Sequence, residues 1–330
     1  MRVLVTGGGG YIGSHAVKQL REAGHDVVVL DNFSRGHREA VPDAVPIEEL
    51  DLHQTEAIAN ALNYHQIECV MHFAALAQVG ESMSDPLLYY ENNAAGSVSL
   101  LKAMQQANVN RLVFSSTCAT YGEPANVPIT EHEPQQPINP YGWTKLMIER
   151  ALKDYAASNE RFAFAALRYF NVAGCAGDGS LGEDHAPETH LIPVLLQVAL
   201  GQRETFYING DDYPTADGTC IRDYIHVEDL VAAHIQVMET LKPGDQRCYN
   251  LGIGEGKSVQ TVLEAARRVT GQPIPAEVGP RREGDPPVLY ADPSLIQQEI
   301  GWQAKVTDIE RMIETAWRWF KTHPDGYEKP

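Results

Sequence analysis

Apolar residues in the first half of the chain gather in short unbroken runs, with longer helical-period stretches between them. Val3-Leu4-Val5 is one run, and Asp26 to Leu30, Cys69 to Phe73, Arg111 to Ser116 and Phe162 to Phe170 contain others. Uninterrupted aliphatic runs of this length mark strands covered on both faces of a parallel sheet. A further short strand is expected to end near Asp51-Leu52. The intervening patterns predict helices from about Ser14 to Glu22, stopped at Gly24, up to about Tyr64, from Pro86 to Ala107, and from Tyr141 to Ser158. A polar, proline-rich loop covers Thr117 to Pro140. Strand and helix in alternation from residue 1 to about 170 predict an α/β fold, a Rossmann-type doubly wound parallel sheet. Beyond residue 170 the pattern loosens. Asn171 to Pro187 reads as a long functional loop, and helices follow at about His190–Gly201, Val227–Leu241, Ser258–Thr270 and Thr307–Thr322. The expected organisation is a dinucleotide-binding domain over 1–170 and a smaller C-terminal α/β substrate lobe over 171–330.

The punctuation of the first βα unit carries chemistry. Gly7, Gly10 and Gly13 recur at every third position between the first strand and the first helix. Glycines there let the backbone approach a pyrophosphate, and the free N–H groups of the helix start favour negative charge. Asp31 follows Gly13 by eighteen positions, at the end of the second strand, near the ~20 at which an acidic residue meets the adenosine ribose. A carboxylate there accepts from both ribose hydroxyls and repels a 2′-phosphate, which favours NAD over NADP; Arg35 and Arg38 nearby work against that rejection. Tyr141 and Lys145 lie four apart at a helix start and so share a face. A tyrosine base at neutral pH needs its pKa lowered by ~3 units, or ~4 kcal/mol, and an adjacent ammonium supplies part of that.

The whole-chain totals narrow the function classes. The 330 residues carry a formal net charge of −18, which argues against nucleic acid or an anionic membrane as partner. An anionic substrate then requires locally placed arginines. Five cysteines with no C-x-x-C spacing argue against a disulfide framework or zinc site and fit a reducing cytoplasm. No apolar run approaches the ~18 residues of a membrane span, and the first apolar residues read as a core strand rather than a signal peptide. The twelve histidines show no H-x-x-x-H or H-E-x-x-H arrangement, so no metal ligand is expected. Trp302, Trp317 and Trp319 read as core of the C-terminal lobe.

Thr6-Gly7-x-x-Gly10-x-x-Gly13, Ser115-Ser116-Thr117 at a strand end and Tyr141-x-x-x-Lys145 resemble the extended short-chain dehydrogenase/reductase superfamily. Within it, further stretches resemble the UDP-glucose 4-epimerases along the whole chain. Among them are His72-Phe73-Ala74-Ala75, Tyr89-Tyr90-Glu91-Asn92-Asn93, Arg168-Tyr169-Phe170-Asn171, Gly182-Glu183-Asp184, Arg222-Asp223-Tyr224-Ile225-His226-Val227 and Pro280-Arg281-Arg282-Glu283-Gly284-Asp285. The resemblance implies epimerisation at sugar C4 through a 4-keto intermediate on tightly bound NAD. It gives Tyr141 the role of base, Lys145 that of holding the nicotinamide ribose and lowering the tyrosine pKa, and Thr117 a hydrogen bond to the reacting oxygen. It assigns Tyr11 and Ile12 to the pyrophosphate, Asp31 and Asn32 to the ribose, and Asp51 and Leu52 to the adenine. Phe73, Ala74, Asn92, Ser115, Tyr169 and Phe170 fall along the rest of the cofactor. Ala77 stands where family members can carry a lysine, so one favourable charge is missing. For the UDP-sugar the resemblance implies Asn171, Leu191, Arg222 and Arg282, with Tyr224 and Asp285 nearby, and it extends to Tyr207 and Asn209 at places that vary in the family. Leu289 replaces a bulkier tyrosine found in some members, so N-acetylated sugars are expected to fit as well. The family forms homodimers through helices at about 86–107 and 141–158. Alternatives are a 4-epimerase of UDP-glucuronate or a UDP-pentose, a nucleotide-sugar dehydratase, and a non-catalytic NAD sensor.

Overall fold

The computed structural model describes residues 1–282 and 285–327. In chain order its elements are β1 (Arg2–Thr6), α1 (Tyr11–Glu22), β2 (Asp26–Leu30), β3 (Ile47–Glu48), α2 (Thr55–Tyr64), β4 (Cys69–His72), α3 (Val79–Ser84), α4 (Pro86–Tyr89), α5 (Gly96–Gln106), β5 (Arg111–Thr117), α6 (Pro140–Ser158) and β6 (Ala163–Tyr169). The second half adds β7 (Asn171–Ala173), α7 (Leu191–Ala199), β8 (Phe206–Asn209), β9 (Ile221–His226), α8 (Val227–Thr240), β10 (Gln246–Leu251), β11 (Gly256–Ser258), α9 (Val259–Thr270), β12 (Ala276–Gly279), β13 (Val288–Leu289), α10 (Ser294–Ile300) and α11 (Ile309–Thr322).

Seven strands form one sheet in the order β10-β6-β5-β4-β1-β2-β3, and every neighbouring pair is parallel. The uninterrupted apolar runs are buried on both faces: Val3, Leu4 and Val5 have no exposed surface, nor have Cys69, Val70 and Met71. Their side chains alternate between two cores. One lies under α1 and α8, with Val3, Val5, Val29 and Met71; the other lies under α2, α5 and α6, with Leu4, Leu30, Val70 and Phe114. The strand order reverses between β1 and β4, so their carboxyl ends open a crevice, the usual ligand position in such sheets.

Three expectations change in detail. The seventh strand of the main sheet, β10, comes from beyond residue 170 and pairs with β6 over Gln246 to Leu251; α8 packs against α1 in the same core. The chain therefore crosses back into the first domain, because the edge of β6 would otherwise be left unpaired. Trp302 is buried in that first core, its indole N–H donating to the Asp229 carbonyl at 3.1 Å, whereas Trp319 does sit in the C-terminal core. The helix expected from Pro86 to Ala107 is divided by a π-helical stretch over Tyr90–Ala95. The second lobe is built on a small sheet in which β9 is flanked by β7, β11 and β13; α7, α9 and α11 cover a separate core behind it.

Candidate active site

At the end of β1 the chain turns with Gly7 at φ +71°. A Cβ on Gly13 would lie 1.9 Å from the Gly7 carbonyl oxygen, so only glycine lets α1 start directly against the strand end. α1 is capped by Gly10 without a side-chain hydrogen bond and has no acidic residue in its first turn. The first-turn N–H groups of Tyr11, Ile12 and Gly13 therefore have no intrahelical acceptor, which suits them to an anionic pyrophosphate. Asp31 follows β2 with its two carboxylate oxygens fixed, accepting from Gly9 N–H and Phe33 N–H at 2.8 Å each. Burial raises its pKa, and these two N–H donors oppose that rise. Asn32 donates to the Asp51 carboxylate at 2.8 Å, and Leu52 is buried beside it. Arg35 pairs with Glu81 and the Ala186 carbonyl, and Arg38 pairs with Glu49. Both guanidiniums are thus engaged away from Asp31. The donors and acceptors along this edge fit a dinucleotide.

Farther along the crevice, the His72 ring is held between the Thr6 and Ser97 hydroxyls at 2.7 and 2.8 Å. Burial pushes its pKa down to about 3, so it stays neutral. Phe73 and Tyr169 both rest on His234, with ring centroids 5.0 and 6.0 Å away, and the Tyr169 hydroxyl meets Ser115. Ala74 N–H lies 3.4 Å from Thr6 Oγ1. The π-helical stretch carries Asn92, which donates to Asn93 Oδ1 at 2.9 Å. Asn93 in turn clamps both backbone groups of Leu76 and reaches Thr144 of α6 at 3.3 Å. The extra residue of the wider turn thereby locks α6 to the crevice, a detail the helical periodicity does not reveal.

α6 delivers the tyrosine and lysine. Asn139 caps it, accepting from Gly142 N–H at 2.8 Å, and Pro140 takes its first position. A Cβ on Gly142 would lie 2.5 Å from the Ala119 carbonyl oxygen, so glycine here brings the helix onto the backbone just after Thr117. Tyr141 and Lys145 face the end of β5: the Lys145 ammonium donates to the Ser115 carbonyl at 2.8 Å and lies 5.9 Å from the Tyr141 ring centroid. Burial dominates both groups. It pushes the Tyr141 pKa up to about 12, against the lowering by its hydrogen bond with Thr117, and the Lys145 pKa down to about 7. The protein alone therefore does not activate the tyrosine, contrary to the direction expected from the lysine. A proton acceptor at this position requires further positive charge.

Behind this pair, Glu149 and Arg168 form a fully buried bidentate ion pair at 2.9 and 2.6 Å. Ser116 Oγ donates to the same carboxylate at 2.6 Å, and Arg168 reaches the Tyr121 hydroxyl at 2.8 Å. The pair ties α6 to β5 and β6.

The second lobe supplies the other wall. Register places Asn171 beside Tyr224 and Leu289 beside Arg222 in the small sheet. Asp285 bridges two guanidiniums, accepting from Arg222 at 2.8 Å and from Arg282 at 3.2 and 3.0 Å. Sequence placed these three near one another but not as one unit. Leu289, paired with Arg222, packs against Cys118, which directly follows β5, so this cluster lies beside the end of that strand. Leu289 is enclosed with Tyr121 and Ile129, with Cys118 and Phe170 against them. Leu191 opens α7. Tyr207 and Asn209 point outward from β8, Tyr207 with 57% of its surface exposed, and the structure does not bring them into the bridged arginine cluster.

Two of the histidines gather with two carboxylates on one loop. Glu183, His185, Glu188 and His190 offer donor atoms that all lie within 4.8 Å of one another. The searched histidine motifs miss this because the signal is E-x-H-x-x-E-x-H on a folded loop.

The NAD dependent epimerase/dehydratase family model matches residues 3–252. The UDP-glucose 4-epimerase of Lacticaseibacillus casei is 50% identical, over 99% of this chain and 99% of its own. A solved structure of a UDP-glucose 4-epimerase superposes with a TM-score of 0.96 at 48% identity, covering 100% of both chains. The UDP-glucose 4-epimerase of Bifidobacterium longum, solved in complex with NAD+ and UDP, gives a TM-score of 0.95 at 37% identity, over 99% of this chain and 100% of its own.

Proposed function

The chain belongs to the NAD dependent epimerase/dehydratase family, and from that membership we propose that it interconverts UDP-galactose and UDP-glucose by epimerisation at C4, with NAD as its resident cofactor. The observation that carries this reading is Tyr141 opening α6 with the Lys145 ammonium over its ring, beside the Thr117 end of β5 at the carboxyl edge of the parallel sheet. Gly7, Gly10, Tyr11, Ile12 and Gly13 would hold the pyrophosphate, Asp31 and Asn32 the ribose, and Asp51 and Leu52 the adenine side. Bound NAD would supply the acceptor for the C4 hydride and its return to the opposite face, with no net redox change. Tyr141 as phenolate accepts the proton of the C4 hydroxyl and gives it back after the sugar has turned. Thr117 steadies that oxygen, and Lys145 holds the positive charge that keeps the phenolate accessible. Arg222 and Arg282, oriented by Asp285, present guanidinium donors to the diphosphate in an otherwise acidic protein.

The residues after Thr117 favour epimerase over dehydratase. Elimination of water needs an acid–base pair there, and the chain has Cys118 and Ala119. Burial pushes the Cys118 thiol up to about 12, so it neither gives nor takes a proton at neutral pH. Exposed apolar side chains on the outer helices, Leu87 at 76% and Met147 at 48%, support pairing of two copies through the 86–107 and 141–158 helices. No described helix is long and apolar enough to cross a membrane, and all five cysteines are free, in keeping with a cytoplasmic setting.

Incubating the purified protein with UDP-galactose and following the anomeric signals by NMR tests the proposal. Conversion to a UDP-glucose/UDP-galactose mixture without added NAD is expected. A 6-deoxy product would point to a dehydratase, and unchanged signals with bound NAD to a sensor.

A further inference from the structure

We propose that Glu183, His185, Glu188 and His190 form a structural site for one divalent cation of the zinc class, on the loop joining the nucleotide edge to the substrate lobe. The proposal rests on donor geometry. His185 Nδ1 lies 3.3 Å from Glu183 Oε1 and 3.4 Å from Glu188 Oε2. His190 Nδ1 lies 2.9 Å from Glu183 Oε1 and 3.1 Å from Glu188 Oε1. Zinc binds imidazole nitrogen and carboxylate oxygen at about 2.0–2.2 Å, and the edge of such a tetrahedron is about 3.3–3.6 Å. These four contacts, which use both Glu188 oxygens, are near that edge, and one donor atom from each of the four side chains lies within 4.8 Å of every other, so a bound ion would draw the set together.

Two independent details point the same way. His185 Nδ1 is buried without a hydrogen-bond partner, although two carboxylates are within reach. This ring nitrogen faces both oxygens without a well-aligned hydrogen bond to either, which leaves the space between them for a shared cation. The Glu188 carboxylate is itself held in place: its Oε1 accepts from Thr189 N–H at 2.7 Å and His190 N–H at 2.8 Å. Fixing a ligand through its neighbours is what a metal site requires of its surroundings.

The two carboxylates are shut away from solvent and share the same two histidine partners. Glu183 and Glu188 are 5% and 7% exposed, and their ion pairs are to these two imidazoles. Neutralising both carboxylates with protons would need two imidazoliums whose rings lie 5.0 Å apart. One dication does the same with neutral rings. A cavity of about 440 Å³ lined by Glu183, His185, Glu188 and Arg203 gives the ion a way in.

The site would act on the fold rather than in the reaction. His185 stands edge-on to the Tyr11 ring, with centroids 6.3 Å apart, and Tyr11 begins α1 at the pyrophosphate edge. His190 caps α7, which opens with Leu191. An ion bound to both histidines would clamp the 183–190 loop between the first helix of the sheet domain and the first helix of the second lobe.

The test uses the full-length protein stripped with EDTA and titrated with Zn²⁺ or Co²⁺ alone. Wild type is expected to bind about one Zn²⁺ per chain, to show the intense visible absorption of four-coordinate Co²⁺, and to melt at higher temperature with Zn²⁺ present. His185→Ala/His190→Ala, if folded by circular dichroism, should lose the Co²⁺ absorption and the Zn²⁺-dependent rise in melting temperature. Glu183→Gln preserves side-chain volume and serves if the double variant does not fold; it should bind Zn²⁺ at least about 100-fold more weakly. Wild type that takes up no Zn²⁺, a weak octahedral Co²⁺ spectrum, or equal uptake by wild type and folded variants would overturn the proposal.

Discussion

Replacing Lys145 with Met removes a buried positive charge while keeping an unbranched side chain of similar length. The charge lies 5.9 Å from the Tyr141 ring centroid. At an effective dielectric of about 20, a unit charge at that distance stabilises the phenolate by about 3 kcal/mol, or about two pKa units. Burial is the main cause that holds Tyr141 up at about 12, and the variant gives up the ammonium's opposing pull on the phenolate. The acid limb of the kcat profile reports the macroscopic value at which the phenolate is protonated in the complex. The sign is fixed by the charges. As the pH falls the phenolate is protonated and turnover is lost; without the ammonium this loss begins at higher pH. Lys145→Met is therefore expected to show an acid limb displaced upward by about two units, with kcat lowered about 100-fold near neutral pH and partly recovered in alkali. An equal deficit at every pH, with the limb unmoved, would show that Lys145 acts by position and not by charge.

Tyr141→Phe should retain UDP binding and lose turnover by about 10²–10⁴-fold, measured by NMR with UDP-galactose; unimpaired turnover would remove the tyrosine from its role. Glu149→Ala leaves the Arg168 guanidinium buried without its bidentate partner and is expected to cost about 3–5 kcal/mol in urea unfolding; a loss below about 1 kcal/mol would mean that the network behind α6 is not a brace. If Leu289 lines the sugar pocket, where a larger ring would close it, UDP-N-acetylgalactosamine is expected to be turned over. Since Leu289 is also enclosed by Tyr121 and Ile129, absence of product at high enzyme concentration would show that those neighbours fill the space.

The strand, glycine turn and helix of the first βα unit and the helix carrying Tyr141 were legible because their signals are local. A strand run, three spaced glycines and Asp31 lie within one βα unit, and Tyr141 with Lys145 lies within one helical turn. Each needs only strand or helix geometry to be placed. What sequence left open depends on contacts between distant segments. β10 joins β6 across some eighty residues of intervening chain, with no periodicity to announce it. Asp285 looked like a neighbour of Arg282, yet it bridges to Arg222 across 63 positions. The π-helical turn around Asn92 conserves the apolar pattern of an ordinary helix while shifting what faces α6. The opposing pKa shifts of Tyr141 and Lys145 follow from burial, which no motif encodes. The Glu183–His190 cluster is local in sequence but forms only when an irregular loop turns four side chains inward.

The reaction itself is tested most directly with UDP-galactose labelled with deuterium at C4, incubated with the protein in ordinary water. If the hydrogen removed from C4 returns to the same carbon while Tyr141 handles only the hydroxyl proton, the UDP-glucose formed retains the deuterium at C4. Product that has exchanged the label for solvent hydrogen would contradict that division of labour.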